Sequence, residues 1–232
     1  MTVETVMITG ASGNLGRAVA TAFAARGANL VLLARNGTQL DATFPGGDPR
    51  RMLVAADLLD PSQAEAAAAA AVARFGRIDV LCNLAGGFRM GPPVHATADS
   101  DWAALFDLNV RTLLHAARAV VPRMLAAGSG RIVNVGAFAA QRGTAGMGAY
   151  AASKSAVIRL TESMAAELRG KGINVNCVLP TVIDTPENRA AMPDADPARW
   201  VAPHDLASGI AFLGSGAARA VHGAAVPVTG LS

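Results

Sequence analysis

The sequence predicts an α/β fold in which a mainly parallel sheet is covered by helices on both faces. Short apolar runs of strand character alternate with longer helical patterns along the chain, which is the order of right-handed βαβ units. The strand runs are apolar throughout, as in sheets buried on both faces. With 232 residues, 52% of them hydrophobic, the chain suits one domain, residues 1–232, around a sizeable core.

Seven strands and five main helices are expected in that alternation. The strands are placed at residues 3–9, 29–34, 51–55, 78–83, 130–135, 173–179 and 224–228. The helices are placed at residues 15–26, 61–75, 100–127, 147–169 and 204–214, with a weaker one near Thr38. Because ligands of such sheets bind beyond the carboxyl ends of the strands, function is expected in the turns that follow them.

Charge and cysteine content argue against several classes of protein. The formal charge of +3 comes from scattered Arg and Lys without a basic run, so no nucleic-acid partner is expected. No apolar run approaches the roughly 20 residues of a membrane span. Cys82 and Cys177 lie in apolar strands, where buried thiols of a reducing compartment are typical. The first strand begins too early to leave room for a secretory signal, so a cytoplasmic location is predicted.

The turn after the first strand reads Thr9-Gly10-Ala11-Ser12-Gly13-Asn14-Leu15-Gly16 and leads into a helix. Glycines permit a tight turn there and let backbone N–H groups approach a pyrophosphate at the helix N-terminus. A turn of this composition also occurs without a nucleotide. Its position directly after the first strand of a βαβ unit favours a dinucleotide site.

The end of the second strand bears on which dinucleotide is bound. An acidic residue there would accept the ribose hydroxyls of NAD, but the sequence has Ala34 followed by Arg35. A guanidinium is suited to a 2′-phosphate, so NADP(H) is favoured over NAD(H). The alternative is that Arg35 is a solvated residue after a strand, without a ligand.

Tyr150 and Lys154 are four residues apart in a predicted helix, which places both side chains on one face. An ammonium group beside a phenol favours the ionised phenol, and this would bring its pKa down from about 10 toward neutrality. The pair is therefore predicted to transfer a proton.

Other polar and apolar side chains are weaker candidates. The four histidines show no paired spacing, so no metal site is predicted; they are His95, His115, His204 and His222. Asp184 and Glu187 near Arg189 are interpreted as solvated loop pairs. An apolar substrate pocket is expected from residues that could equally belong to the core, namely Phe88, Met90, Phe138, Met147 and Met192.

Taken together, these motifs resemble the short-chain dehydrogenase/reductase family of the compact single-domain kind, from about residue 3 to residue 230. The resemblance implies a three-layer Rossmann fold with a seven-stranded sheet in the order 3-2-1-4-5-6-7. It also implies a homodimer or homotetramer, formed through the long helices that carry Asn109 and Tyr150, which acts on a small-molecule substrate.

The resemblance assigns roles residue by residue. Lys154 would lower the pKa of Tyr150 and hold the nicotinamide ribose, and Asn109 would hold a water molecule of the proton relay. The remaining cofactor-binding residues would be Gly10, Ser12, Asn14, Leu15 and Gly16 in the first turn, Asp57 and Leu58 at the adenine, Asn83, Ala85 and Gly86 at the cofactor wall, and Pro180, Ile183 and Thr185 at the nicotinamide.

The chain departs from the family pattern at four positions. Asn14 stands in place of the second glycine of the first turn, Leu84 in place of an Asn, and Thr181 in place of a Gly. The fourth departure is Ala137, which lies thirteen residues before Tyr150 where the family has its catalytic Ser. Thr144 in the following loop is a candidate for the missing hydroxyl.

Three functions follow from this combination. The first is NADP-dependent hydride transfer between the nicotinamide and a carbonyl or alcohol. The second is reduction of a C=N or conjugated bond, because dihydropteridine reductases resemble this chain in keeping Tyr-x-x-x-Lys with Ala at the Ser position. The third is dinucleotide binding without turnover, against which the intact Tyr150, Lys154 and Asn109 argue.

Overall fold

A computed structural model describes residues 3–231, and its centre is one parallel seven-stranded sheet. The strand order is β3-β2-β1-β4-β5-β6-β7, which confirms the predicted order. The strands are β1 Thr5–Thr9, β2 Asn29–Ala34, β3 Arg51–Ala55, β4 Val80–Asn83, β5 Gly130–Val135, β6 Ile173–Pro180 and β7 Ala225–Val228. Because all pairs are parallel, the carboxyl ends of the strands lie at the same edge of the sheet.

Within residues 3–231, eight α-helices connect and cover the strands. They are α1 Asn14–Ala24, α2 Gly37–Thr43, α3 Pro61–Phe75, α4 Asp99–Phe106, α5 Thr112–Ala127, α6 Gly148–Leu168, α7 Pro186–Ala191 and α8 Pro203–Leu213. Local signals set several ends: the Asp60 side chain caps α3 by accepting from the N–H of Ser62, and Gly76 ends it with φ +81°. Within residues 3–231, no helix has the length and apolar character that a membrane crossing requires.

The core consists of two apolar layers, one on each face of the sheet. On one face Val6 and Ile8 of β1 pack with Phe23 of α1 and Ile210 of α8. The opposite layer contains Met7 of β1 together with Ala64 and Ala68 of α3 and Val120 and Met124 of α5. Alternate residues of one strand thus serve opposite layers, and the three-layer arrangement predicted from the apolar strands is confirmed.

Two differences from the predicted elements lie at the site, and a third lies at the start of β4. The expected helix at 100–127 is interrupted by a π-turn, Asp107–Arg111, between α4 and α5. Helix α7 was not predicted; its first turn is capped by the Thr185 hydroxyl, which accepts from the N–H of Asn188 at 3.2 Å, and Pro186 takes the first helical position. Finally, β4 begins at Val80, two residues later than predicted, and just before it the Asp79 carboxylate accepts from the N–H of Thr5 at 2.8 Å.

Candidate active site

The carboxyl ends of the strands open into a cavity of about 1280 Å³, which extends from the turn after β3 to the segment after β6. This volume suits a dinucleotide together with a small second ligand. Predicted site residues that line the cavity are Gly10, Ser12, Asn14, Leu15, Gly16, Arg35, Asp57, Leu58, Ala85, Gly86, Tyr150, Lys154, Pro180, Ile183 and Thr185. Asn83 and Asn109 are buried behind its wall.

The glycine turn is packed as closely as glycine allows. Gly10 has φ +65°, and a Cβ at this position would lie 3.0 Å from the backbone N of Ala85. A Cβ on Gly16 would lie 2.6 Å from the carbonyl oxygen of Ala11. The Thr9 hydroxyl accepts from the N–H groups of Leu84 and Ala85 at 3.0 Å each, which joins the turns after β1 and β4. Larger side chains would disrupt this cavity floor.

The start of α1 fits an anionic group. Its N-cap, Gly13, provides no side-chain hydrogen bond to the first turn, so these N–H groups lack the partner that a Ser, Thr or Asp cap supplies. Gly13, Asn14 and Leu15 all line the cavity. The positive end of the helix dipole lies there as well. The turn thus fits a dinucleotide pyrophosphate.

Asn14, the departure from the family glycine, contacts the segment that covers the cavity. Its Nδ2 donates to Glu187 Oε2 of α7 at 2.8 Å, and its Oδ1 accepts from Arg17 Nη2 at 2.5 Å. The predicted loop pairing is confirmed for Asp184, which binds Arg189 at 2.6 and 2.8 Å. It is wrong for Glu187, because that carboxylate is bound by Asn14 on the opposite side of the cleft.

Arg35 is exposed at the end of β2 and lines the cavity. In the part of the chain that the structure describes, its guanidinium has no hydrogen bond or ion pair. The next residue has a structural role, since the Asn36 side chain accepts from the N–H of Gln39 at 3.0 Å and caps α2. Arg35 is therefore free to bind an anionic ligand.

Tyr150 and Lys154 lie on α6 and both line the cavity. Lys154 is only 6% exposed, and its Nζ donates to the carbonyl oxygen of Val135 at 2.9 Å. The edge of the Tyr150 ring meets the Phe88 ring, with centroids 4.9 Å apart and planes at 85°. Both side chains of the predicted pair thus line the same cavity.

The predicted lowering of the Tyr150 pKa is wrong for the chain without a ligand. Burial raises the pKa of Tyr150 to about 12, because the charged phenolate is desolvated. Burial also lowers the pKa of Lys154 to about 8, although the nearby Cys177 thiol opposes this shift. Desolvation outweighs any stabilisation of the phenolate by the ammonium group.

Asn109 occupies the π-turn, 2% exposed, and supports the site from behind. Its Oδ1 accepts from the N–H of Gly87 at 2.9 Å, and its Nδ2 donates to the Gly87 carbonyl at 3.1 Å and to Ser153 Oγ at 3.0 Å. Ser153 in turn donates to the Tyr150 carbonyl at 2.8 Å. Asn109 therefore braces the turn after β4 against the helix that carries Tyr150.

Asn83, the last residue of β4, is also buried behind the cavity wall. Its Nδ2 donates to Asn134 Oδ1 of β5 at 2.9 Å, while its Oδ1 is buried without a partner among the described residues. Asn83 thus links the carboxyl ends of β4 and β5 behind the cavity wall.

The substrate end of the cavity is mostly apolar. Ala137 lines it and is 4% exposed, and Thr144 lies in the same wall. Of the predicted apolar residues, all but Met90 line the cavity, and Met90 lines a separate smaller pocket. Sequence reasoning missed Asp107 and Arg142, which also lie in the wall; the position of Arg142 in the loop after Ala137 was the available signal. Across residues 3–231, no cluster of three or more His, Cys, Asp or Glu is placed to hold a metal ion.

Replacing Lys154 by Met is expected to remove a contribution to stability that grows between about pH 8 and pH 10.5. The folded-state pKa of about 8 lies below the ordinary value of 10.5, so Lys154 binds more protons in the unfolded chain in this window and its contribution to the free energy of unfolding rises with pH. Burial raises the pKa of the Cys82 and Cys177 thiols, which act in the opposite direction above about pH 9, so the contribution of Lys154 is the difference between wild type and variant. The rise is at most about 1.4 kcal/mol per pH unit. Urea unfolding at a series of pH values measures it.

Lys171→Met is the matched control, because Lys171 is the other of the two lysines and is exposed. We expect it to retain the wild-type rise. Parallel pH profiles for Lys154→Met and wild type would contradict the lowered pKa.

The chain is similar in sequence and structure to known dehydrogenases and reductases. Residues 4–196 match the short chain dehydrogenase family. The chain is 34% identical to D-threitol dehydrogenase of Mycolicibacterium smegmatis, over 98% of this chain and 92% of that protein. It is 33% identical to a 3-oxoacyl-(acyl-carrier-protein) reductase of Vibrio cholerae, over 98% and 96%. The structure of 3-ketoacyl-(acyl-carrier-protein) reductase from Brucella melitensis complexed with NADH superposes with a TM-score of 0.88 at 28% identity, covering 99% of this chain and 98% of that one.

Proposed function

Since the chain belongs to the short-chain dehydrogenase family and is an NAD(P)-dependent oxidoreductase, we propose that it transfers hydride between NADP(H) and a small carbonyl or alcohol substrate. The observation that carries this proposal is that Tyr150 and Lys154 share one cavity with the glycine turn and Arg35. A dinucleotide laid along the carboxyl ends of the strands would place its two ends at Arg35 and at Tyr150.

The residues of the cavity wall divide into parts that suit each portion of the cofactor. The N–H groups at the start of α1 would bind the pyrophosphate and Arg35 the 2′-phosphate, while Asp57 and Leu58 would contact the adenine. Lys154 would hold the nicotinamide ribose; Pro180, Ile183 and Thr185 would face the nicotinamide. When bound, the cofactor supplies the hydride donor or acceptor.

The protonation state of Tyr150 is compatible with carbonyl reduction. With a pKa of about 12, the phenol is protonated at neutral pH, which is the form that donates a proton to a carbonyl oxygen. Lys154, with a pKa of about 8, carries a positive charge over the same range and can bind ribose hydroxyls. Asn109 links α6 to the turn at Gly87 through hydrogen bonds, which would hold the Tyr150 phenol in position during the proton transfer.

Arg35→Gln is expected to weaken NADPH binding by about 10- to 100-fold and to leave NADH binding unchanged. The reason is that hydrogen bonds to a charged group are worth about 1.5–3 kcal/mol, and only NADPH carries the 2′-phosphate. Calorimetric titration of wild type and variant with both cofactors measures the change.

Arg50→Gln removes an exposed arginine that lies outside the cavity wall, so it should bind both cofactors as wild type does. Equal losses of NADPH and NADH affinity in Arg35→Gln would instead indicate that the substitution disrupts the turn after β2. No loss of NADPH affinity would show that Arg35 is a solvated residue without a ligand.

Reduction of a C=N or conjugated bond is the second candidate function, favoured by Ala137. A methyl group in the wall provides no hydrogen bond to a developing oxyanion, whereas a polarised or delocalised acceptor needs less of that stabilisation. Turnover of a quinonoid dihydropterin or an imine, without turnover of ketones, would select it. Tight NADPH binding with no turnover of either class would select the third candidate, a dinucleotide-binding protein.

We also propose that the protein forms a homodimer or homotetramer through α4, α5 and α6. Trp102 of α4 is 38% exposed and stacks on Phe106 with ring centroids 5.5 Å apart, an apolar surface of the kind that is enriched at interfaces. Light scattering of the purified protein measures the subunit number, and a monomer at micromolar concentration would refute the proposal.

A further inference from the structure

Arg142 is a cation in the cavity wall that the proposed chemistry does not use. It follows the short 3-10 helix Phe138–Gln141, whose backbone is hydrogen-bonded to α6, the helix that carries Tyr150. The Ala140 N–H donates to the Ala137 carbonyl at 3.0 Å, and Ser155 Oγ of α6 donates to the Ala140 carbonyl at 2.7 Å. The loop that carries Arg142 is therefore held next to Ala137 and to the helix of Tyr150.

The Arg142 side chain is exposed, and no residue in the described range 3–231 forms a hydrogen bond or ion pair with its guanidinium. The two acids of the cavity wall are occupied elsewhere. Asp107 pairs with Arg111 at 3.0 Å, and Asp57 accepts from the N–H of Leu59 at 2.9 Å. An arginine without a protein partner in a largely apolar wall is suited to an anionic ligand.

The position of Arg142 separates it from the 2′-phosphate of the cofactor. Arg35 follows β2, whereas Arg142 lies beyond β5, and β1 and β4 lie between these strands. Three strand spacings amount to roughly 14 Å. Arg142 instead shares its end of the cavity with Ala137, Thr144 and Tyr150, where the proposed function places the reacting group of the substrate.

We propose that the substrate carries an anionic group, a carboxylate, sulfonate or phosphate, which Arg142 binds. This inference rests on the proposed function, since it assigns the substrate class of the same site. The planar guanidinium would take two oxygens of the anion. The uncharged part of the substrate would pack against Phe88, Phe138 and Met147, with its carbonyl at Tyr150.

A matched pair of probes tests this, namely 4-formylbenzoate and its methyl ester, which carry the same aldehyde and differ in charge. Binding is measured calorimetrically to the protein saturated with NADP⁺, and turnover is measured with NADPH. We expect wild type to bind the acid at least about 10-fold more tightly than the ester. Arg142→Gln should bring the two affinities together, and Arg142→Lys should restore part of the preference.

Lys171→Gln is the control, because it removes an exposed cation outside the cavity wall, and it should retain the preference. Equal binding of acid and ester by wild type, no binding of either, or an unchanged preference in Arg142→Gln would overturn the inference. Weaker NADP⁺ binding in Arg142→Gln with the preference intact would also overturn it and assign Arg142 to the cofactor. An Arg142-dependent preference without turnover of either probe would uphold anion binding and count against the proposed hydride transfer.

Discussion

Tyr150→Phe is expected to lower the turnover number by about 10²- to 10⁴-fold and to leave NADPH affinity unchanged. Removal of the hydroxyl eliminates the proton donor, and general acid–base groups contribute rate factors of this size. The ring itself, with its edge contact to Phe88, is retained, so the wall of the cavity keeps its shape. Single-turnover measurement of NADPH oxidation separates the loss in chemistry from any loss in binding.

The matched control is Phe88→Leu, which removes the ring against Tyr150 and retains the phenol. Because Phe88 also lines the substrate end of the cavity, this variant is compared at saturating substrate, where it should preserve most of the turnover number. Since Tyr150 is the only tyrosine in the chain, the ultraviolet absorbance of tyrosinate in the folded protein reports this residue alone. We expect ionisation near pH 12; ionisation near neutrality would contradict the desolvation argument, and turnover by Tyr150→Phe at the wild-type rate would remove the phenol from the mechanism.

Ala137→Ser is expected to raise kcat/KM for simple ketones and aldehydes by roughly 10²-fold, by analogy with the effect of one oxyanion-hole donor. Ala137 lines the substrate end of the cavity, and its extended backbone, with φ −159°, accepts a serine without strain. The added hydroxyl would donate to the substrate oxygen as charge develops on it. Steady-state kinetics on a carbonyl series with NADPH measures the gain.

Ala140→Ser supplies the control, because Ala140 is buried in the short 3-10 helix that directly follows Ala137 and lies outside the cavity wall. It should produce no gain. If Ala137→Ser also produces none, another group already donates to the substrate oxygen, and Thr144, which lies in the same wall, is then the residue to replace by Val. A gain for ketones accompanied by no change for imines would show that the natural site is adapted to an acceptor that needs no hydroxyl.

Much of the fold could be predicted because its signals are local. Uniformly apolar strand runs indicate a sheet covered on both faces, and the carboxyl-end rule then brings distant turns together. Gly10 and Arg35, which follow β1 and β2, line one cavity as this rule predicts. The order of the strands came from the family resemblance, since apolar runs alone do not specify which strands are neighbours.

The unpredicted features depend on contacts between distant segments. The spacing of Tyr150 and Lys154 indicates that they are close, but the pKa of the phenol depends on how deeply the surrounding elements bury it, and Phe88 arrives from the loop after β4. The bond from Asn14 to Glu187 joins residues 173 positions apart. Helix α7 does have a local signal, the Thr185-Pro186 pair that caps and begins it.

The π-turn Asp107–Arg111 fixes the rotational phase of the long helical segment that contains it. A π-turn holds one residue more than a regular turn, and each residue of an α-helix advances the chain by about 100°. Deleting one residue here would rotate α5 by that angle relative to α4. The layer in which Ala116 and Val120 pack with Ala64 and Ala68 of α3 would turn out of contact, whereas Asn109 would leave Gly87 and Ser153. The extra residue of the π-turn thus sets the orientation of α5 for both the core and the active site. We expect an insertion or deletion in this segment to disrupt both.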